Sequence, residues 1–523
     1  MPIQLAIIFV TGAAILALEL LASRILTPYF GVSLYIWAGI LSITLIALAL
    51  GYGLGGRLAR RVPRKRLGTI YLALPSVAAL ALGVAALAYP ALFPGLAEAD
   101  LLLGAYIACV VLLLVPLVAT SAMNPLLVAL RLDGRREADA GSGRVFFVST
   151  LGSVAGVPIA AFVLIPHLTN HSSVLLVGIV LAGLSLVAAV LTRTEPRLIA
   201  PLSLAALALC AGLLASSDWR LGRKVGQERG GLTWRLEQEY GSLYGSVKIL
   251  SAERGGRSSR VYYQDGILQN RIDEAGISLS PFTHALEALG LAYRPAPRSA
   301  LVLGLGAGIV PMRFAGQGIA VEVVEINPAS WAAAAKHFGF DAAKVKPQLA
   351  DARSFVRGCR GQHDLVVVDL FQGDGIPDYL VTREFFADVA SCLEPGGVVV
   401  VNSFIDLDRP AGYRHMLASV KTAFADVLMF RRPGYEGFIN AYLVAARHEL
   451  DPRRPIALPD ISQRFAPELN SVFGNASRVT METLHGAAPI SDERNFLGHA
   501  NAESYMAYRR STLSMLPANF LVN

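Results

Sequence analysis

Charge is scarce in this chain. Of 523 residues only 16% are charged while 54% are hydrophobic, against roughly 25% charged in soluble domains. That shortage excludes one ordinary soluble fold over the whole length. Cysteine is equally sparse. Cys109, Cys210, Cys359 and Cys392 show no Cys-x-x-Cys pair and no metal-ligand spacing, which argues against a disulfide framework and against a metal site. No basic stretch precedes the first apolar run and no small-residue cleavage site follows it, so that run reads as a retained span rather than a signal peptide. The net charge of +7 is not gathered on a soluble face. Much of it lies in short loops, notably Arg57, Arg60, Arg61, Arg64, Lys65 and Arg66, which suits membrane topology and argues against nucleic-acid binding.

The apolar excess sits in residues 1–216. A spanning helix needs about 20 apolar residues, and seven runs qualify: roughly 3–26, 33–56, 67–90, 101–130, 145–166, 173–192 and 197–215. Pro116 and Pro125 predict a kink in the fourth. Loops 57–66, 131–144 and 193–197 are basic and fall on one side, which the positive-inside rule makes cytoplasmic. Seven crossings would then put the remainder of the chain outside. A domain using a cytosolic nucleoside belongs inside, so one run is expected not to cross: 197–215 lying in the interface, or another being re-entrant. Glu19 is the notable intramembrane acid, read either as a packing contact or as a group facing a substrate. Arg24, Asn124 and His167 are polar groups at span ends or kinks.

Residues 217–290 read as a small β-rich unit. Ser246 to Leu250 and Arg260 to Tyr263 alternate as strands across a Gly255-Gly256 turn, and Asp265-Gly266 makes another. Residues 291–450 alternate strand and helix, the order of a doubly wound Rossmann-like fold. The strand Ala300 to Leu303 runs into Gly304-Leu305-Gly306-Ala307-Gly308, where glycines let the backbone approach a ligand. Glu325 ends the next strand and can accept from ribose hydroxyls. The missing third phosphate glycine and the early Pro311 favour a nucleoside without pyrophosphate over NAD. Asp351, after a third strand, is placed for an exocyclic adenine amine, with Ala352 beside it. Asp369 closes the fourth strand at the ligand-binding edge, and the loop 371–377 after it is long enough to cover a site. The expected architecture is a multi-span α-helical membrane domain plus a class I S-adenosylmethionine-binding α/β domain. Residues 451–523 form a C-terminal extension whose Ser491-Asp492-Glu493-Arg494-Asn495 cluster is either a helix cap or a closure of the site.

These stretches resemble the spermidine synthase family in its membrane-fused bacterial form. The resemblance covers about 232–450. It rests on Leu243-Tyr244-Gly245, Asp265-Gly266-Ile267-Leu268-Gln269, Gly304 to Gly308, Val324-Glu325-Ile326-Asn327-Pro328, Asp351-Ala352, Val368-Asp369, Tyr379 to Phe386, and Leu393-Glu394-Pro395-Gly396-Gly397. The family moves an aminopropyl group from decarboxylated S-adenosylmethionine to an amine and releases methylthioadenosine. The resemblance implies Asp369 as the base, aided by Tyr435, with Tyr244, Gln269, Gly304, Gly306, Gly308, Glu325, Asp351 and Ala352 around the nucleoside. The co-substrate would be decarboxylated S-adenosylmethionine or S-adenosylmethionine itself.

The chain departs from the family pattern in its acids. Ala307 stands where an acid binds the donor amine, Gln372 where a second acid follows the base, and Gly245 where a glutamine is usual. The tyrosine-x-glutamate stretch is not recognisable in Ile277-Ser278-Leu279-Ser280. Asp273, Glu274, Asp374 and Asp378 are the acids available to compensate on the acceptor side. The expected partners are the bilayer and a small amine or amine-bearing lipid, with self-association of identical chains left open. The expected location is the cell inner membrane with the catalytic domain cytoplasmic. Two alternatives stand beside aminopropyl transfer: a methyltransferase acting on a membrane or lipid substrate, and a nucleoside-sensing transporter motivated by Glu19.

Overall fold

The computed structural model describes residues 2–131, 135–221 and 226–523, so residues 132–134 of the second basic loop lie outside the described residues. The chain forms two compact units. One is Met1–Gln227 with Leu513–Asn523, and the other is Glu228–Thr512.

Among the described residues, the first unit holds seven helices long and apolar enough to cross a membrane: Ile3–Phe30, Tyr35–Arg61, Arg64–Ala99, Leu101–Arg131, Ser142–His167, Asn170–Thr192 and Pro196–Ala215. Small residues let them pack closely. A Cβ on Gly152 or Gly156 would strike the backbone of Phe9 or Ala13 on the first helix. The irregularity expected in the fourth helix is a π-helical turn, Val110–Leu114. It falls where Pro116 can offer no N–H to the carbonyl four residues back. A second such turn, Ala160–Leu164, precedes Pro166. Asn124, beside Pro125 within the fourth helix, is buried and donates to Ser149 Oγ at 3.2 Å, tying two helices together. Glu19 is half-buried in the first helix.

The last run does not lie apart from the bundle. Ser203 shares a 2.7 Å hydrogen bond with Ser76, Cys210 Sγ lies 3.4 Å from the Ala79 carbonyl, and Gly178 packs on Cys210. Its first turn is near Lys65, whose ammonium is 3.7 Å from Glu195. The helix therefore runs from the end carrying the basic loops to the opposite end. The chain terminus returns to that opposite end, where the Asn523 carbonyl accepts from the His171 N–H at 2.7 Å and its Nδ2 donates to the Arg24 carbonyl at 3.0 Å.

The second unit contains two sheets. The smaller joins β1 (Gln227–Arg229), β2 (Leu232–Ser242), β3 (Gly245–Arg254), β4 (Arg257–Gln264) and β5 (Ile267–Asp273) in sequence order. Its turns at Gly255-Gly256 and Asp265-Gly266 use paired positive φ values, the two-residue geometry that matches strand twist. The Asp265 carboxylate accepts from the Ser246 N–H at 2.8 Å and fixes the neighbouring strand end.

The larger sheet comprises β6 (Ser299–Leu303), β7 (Ala320–Glu325), β8 (Lys346–Leu349), β9 (His363–Val368), β10 (Leu393–Asp406), β11 (Asp426–Arg431), β12 (Phe438–Ala446) and β13 (Ala476–Arg478). Their spatial order is β13-β11-β12-β10-β9-β6-β7-β8. The five strands from β10 to β8 are parallel, and β12, β11 and β13 continue antiparallel. Both faces are covered, so the strands are continuous apolar runs. Val399 and Val401 join one buried cluster, and Val398 and Val400 the other. The chain reverses direction across the sheet between β6 and β9. Such a switch point opens a crevice at the carboxyl ends of the strands.

Candidate active site

Gly304 leaves β6 with φ of 96°, and a Cβ there would collide with the carbonyl oxygen of Asp369 at the end of β9. Only glycine lets these two strand ends come so close. Gly306 and Gly308 follow with φ of 51° and 77°. The turn is held from the next strand: Glu325 accepts from the Leu305 N–H at 3.0 Å and from the Asn327 N–H at 2.7 Å. Asn327 caps helix Pro328–His337 through the Ala329 N–H and accepts from Ser242 Oγ at 2.7 Å. One carboxylate thus shapes the glycine loop while keeping lone pairs for a ligand. Burial pushes its pKa up, opposed by those backbone N–H groups.

A cavity of about 250 Å³ opens here. Tyr244, Gln269, Gly304, Gly306, Glu325, Asp351, Ala352, Asp369, Gln372 and Asp374 all line it. Gly308 stands just behind, with φ positive and its α-carbon against Phe340. Asp351 caps helix Ala352–Gly358 through the Ser354 N–H at 2.9 Å and accepts from Tyr379 Oη at 3.1 Å. Gln269 reaches the Gly373 carbonyl at 3.4 Å, joining the small sheet to the loop after β9.

Asp369 is the reactive-looking group. Burial pushes its pKa up to about 6; a hydrogen bond from Asn402 opposes this, and the nearby Glu325 charge adds to it. Asn402 Nδ2 donates to Asp369 Oδ1 at 2.8 Å, and Asn440 Nδ2 lies 3.3 Å from Asn402 Oδ1. These amides extend from the neighbouring strands β10 and β12, where Asn402 faces Tyr442 and Asn440 faces Phe404, so that the two meet diagonally. A carboxylate with a pKa near neutrality is ionised at pH 7 yet can still take a proton.

Tyr435, Asp273, Glu274 and Asp378 do not line the cavity. Tyr435 is 49% exposed beneath the Arg432 guanidinium at 4.8 Å. Asp273 pairs with Arg464 at 3.0 Å and caps its own turn, while Glu274 accepts from the Ser258 N–H at 2.6 Å. Asp374 lines the cavity but is ion-paired with the fully buried Arg509 at 2.6 Å. Tyr508 does line the cavity, beside Tyr244, Tyr262 and Tyr379, and packs on Phe404 at 4.6 Å between ring centres. Sequence reading missed Asn402, Asn440, Phe404, Tyr508 and Arg509. Asn402 carried a faint signal, a polar residue closing the run Val398 to Val401. The Ser491 to Asn495 cluster grips the same loops: Asp492 pairs with Arg353, and Asn495 Nδ2 donates to the Asp378 carbonyl at 2.8 Å.

Residues 323–451 match the spermine/spermidine synthase domain. The match includes Glu325, Asp351, Asp369, Asn402 and Asn440, and excludes the glycine loop and Tyr508. A polyamine aminopropyltransferase from Vibrio vulnificus is 32% identical over 193 residues, covering 35% of this chain and 63% of that protein. An N-terminal histidine N-methyltransferase from Emericella nidulans is 32% identical over 151 residues, covering 28% and 26%. The chain thus spans less than two thirds of the length of either relative. Among solved structures, a probable spermidine synthase from Corynebacterium glutamicum aligns with 49% of this chain and 96% of its own, at a TM-score of 0.41 and 19% identity.

Proposed function

We propose that this chain, a spermine/spermidine synthase domain joined to a multi-span helical unit, is a membrane-bound transferase. It moves an aminopropyl group from decarboxylated S-adenosylmethionine to an amine and releases methylthioadenosine. The observation that carries the reading is Asp369, a half-buried carboxylate with a pKa pushed up to about 6, in the wall of the crevice that the glycine loop, Glu325 and Asp351 also line. Glu325 would accept from the ribose hydroxyls and Asp351 from the adenine amine, with the glycine loop beneath the sulfonium side.

The chemistry follows from charge. An ammonium has no lone pair, so Asp369 takes one of its protons. The freed nitrogen attacks the carbon next to the sulfonium, the C–S bond breaks, and its electrons neutralise sulfur. Asn402 holds the carboxylate's orientation through the step. Tyr508 is the aromatic wall available to the acceptor, and Tyr435, which the resemblance made the aid to Asp369, lies outside the cavity.

A second reading has its own observation. Ala307 leaves the donor's amine end without an acid, and the Emericella nidulans relative is named a methyltransferase. One product spectrum separates the two. Purified protein in detergent, given either nucleoside donor and an amine, is expected to yield methylthioadenosine. S-adenosylhomocysteine as the sole nucleoside product would transfer the assignment to methylation. The catalytic unit is proposed to face the cytoplasm, where such donors are made.

A further inference from the structure

The acceptor side of the cavity carries unusually little negative charge. We infer that the acceptor is a primary monoamine with an apolar or aromatic body, not a diamine; this rests on the aminopropyl reading above.

The acids that could hold a second ammonium are all accounted for. Asp273 and Glu274 lie away from the cavity, tied to Arg464 and to the Ser258 N–H. Asp374 is neutralised by Arg509, which has no solvent exposure and also donates to the Asp265 carbonyl at 2.7 Å. Asp378 does not line the cavity. Glu325 and Asp351, the other acids lining the cavity, are those assigned to the nucleoside, and Asn402, which donates to Asp369, Asn440 and Gln372 are neutral amides. An ammonium stripped of water without a carboxylate partner is strongly disfavoured.

What stands there instead is apolar. Phe404 and Phe438 stack with planes 7° apart and centres at 5.7 Å, and Tyr508 leans on both at 4.6 and 5.4 Å. Behind Phe404 and Tyr508 a side cavity of about 40 Å³ is walled by Ile376, Met416 and Leu497. Of its three charged residues, Asp406 and Arg409 pair with each other at 3.4 Å, and Asp374 is the acid already paired with Arg509. The surface continuing from the base is therefore one that a hydrocarbon can cover and a second cation cannot.

The test compares putrescine with n-hexylamine and phenethylamine as acceptors for the full-length protein in detergent, with decarboxylated S-adenosylmethionine as donor. At least one monoamine is expected to exceed putrescine in kcat/KM by tenfold or more. In Gln372→Asp, which adds a carboxylate to the wall, the putrescine-to-monoamine ratio is expected to rise at least tenfold. Methylthioadenosine formed with putrescine as the better acceptor would overturn the inference and leave aminopropyl transfer intact. A ratio unmoved in Gln372→Asp would contradict the charge argument. No methylthioadenosine with any amine would remove aminopropyl transfer and this inference together.

Discussion

Asp369 sets the pH behaviour. Its pKa of about 6 predicts that kcat/KM falls as pH drops through 6, because the protonated carboxyl cannot accept a proton. The Asn402 hydrogen bond favours the ionised form and holds that pKa down. Asn402→Ala is therefore expected to move the acid limb of the pH–rate profile upward. A limb that moves down or stays fixed would show that Asn402 does not act on the base. Asp369→Asn is expected to lower turnover by about 10²–10⁴, the usual contribution of one positioned base. Its nucleoside affinity should stay within a few-fold of the parent, measured by titration with methylthioadenosine. The buried Arg509–Asp374 pair makes a different claim, about stability. Arg509→Met strands a carboxylate in the interior and is expected to cost about 3–5 kcal/mol in denaturant unfolding of the soluble unit.

Elements bring these residues together, and they explain what the sequence could tell. The glycine loop, Glu325, Asp351 and Asp369 each end a strand of the parallel sheet. A strand's carboxyl end is visible as the close of an apolar run, so the run Leu365 to Val368 points to Asp369. Asn402 and Asn440 are harder to read, since their meeting depends on the β10–β12 register. Tyr508 and Arg509 left no local trace at all. They lie on helix Ala502–Leu513 and meet the site through tertiary packing, Tyr508 by lining the cavity and Arg509 by pairing across 135 residues of chain with Asp374. Tyr435 had the right residue type near the right strand, but its loop turns outward. The same element logic predicts that Gly304→Ala fails. Its positive φ and the adjacent Asp369 carbonyl leave no room for a methyl group. The expected result is loss of both stability and nucleoside binding, read by thermal unfolding with and without methylthioadenosine.

The whole molecule poses a question of sides. Composition marked the division into an apolar and a polar part, but hydropathy alone could not say whether the last run crosses. Its packing along Arg64–Ala99 and Asn170–Thr192 puts the last turn of this helix at the end of its bundle opposite Lys65 and Glu195. A cytoplasmic catalytic unit then requires basic loops outside, against the positive-inside rule. Single cysteines at Lys65 and Asp218, in a cysteine-free background, are expected to label from opposite sides of the membrane. Lys65→Cys is expected to react with an impermeant maleimide in intact cells, and Asp218→Cys only after lysis. Labelling of both from one side would show that one helix does not cross. The central claim concerns the crevice at the ends of β6, β7 and β9, and calorimetry with methylthioadenosine on the intact detergent-purified protein tests it most directly. The account predicts saturable binding of one nucleoside per chain that Glu325→Ala abolishes. Absence of heat from the unaltered protein, or equal heat from the variant, would contradict it.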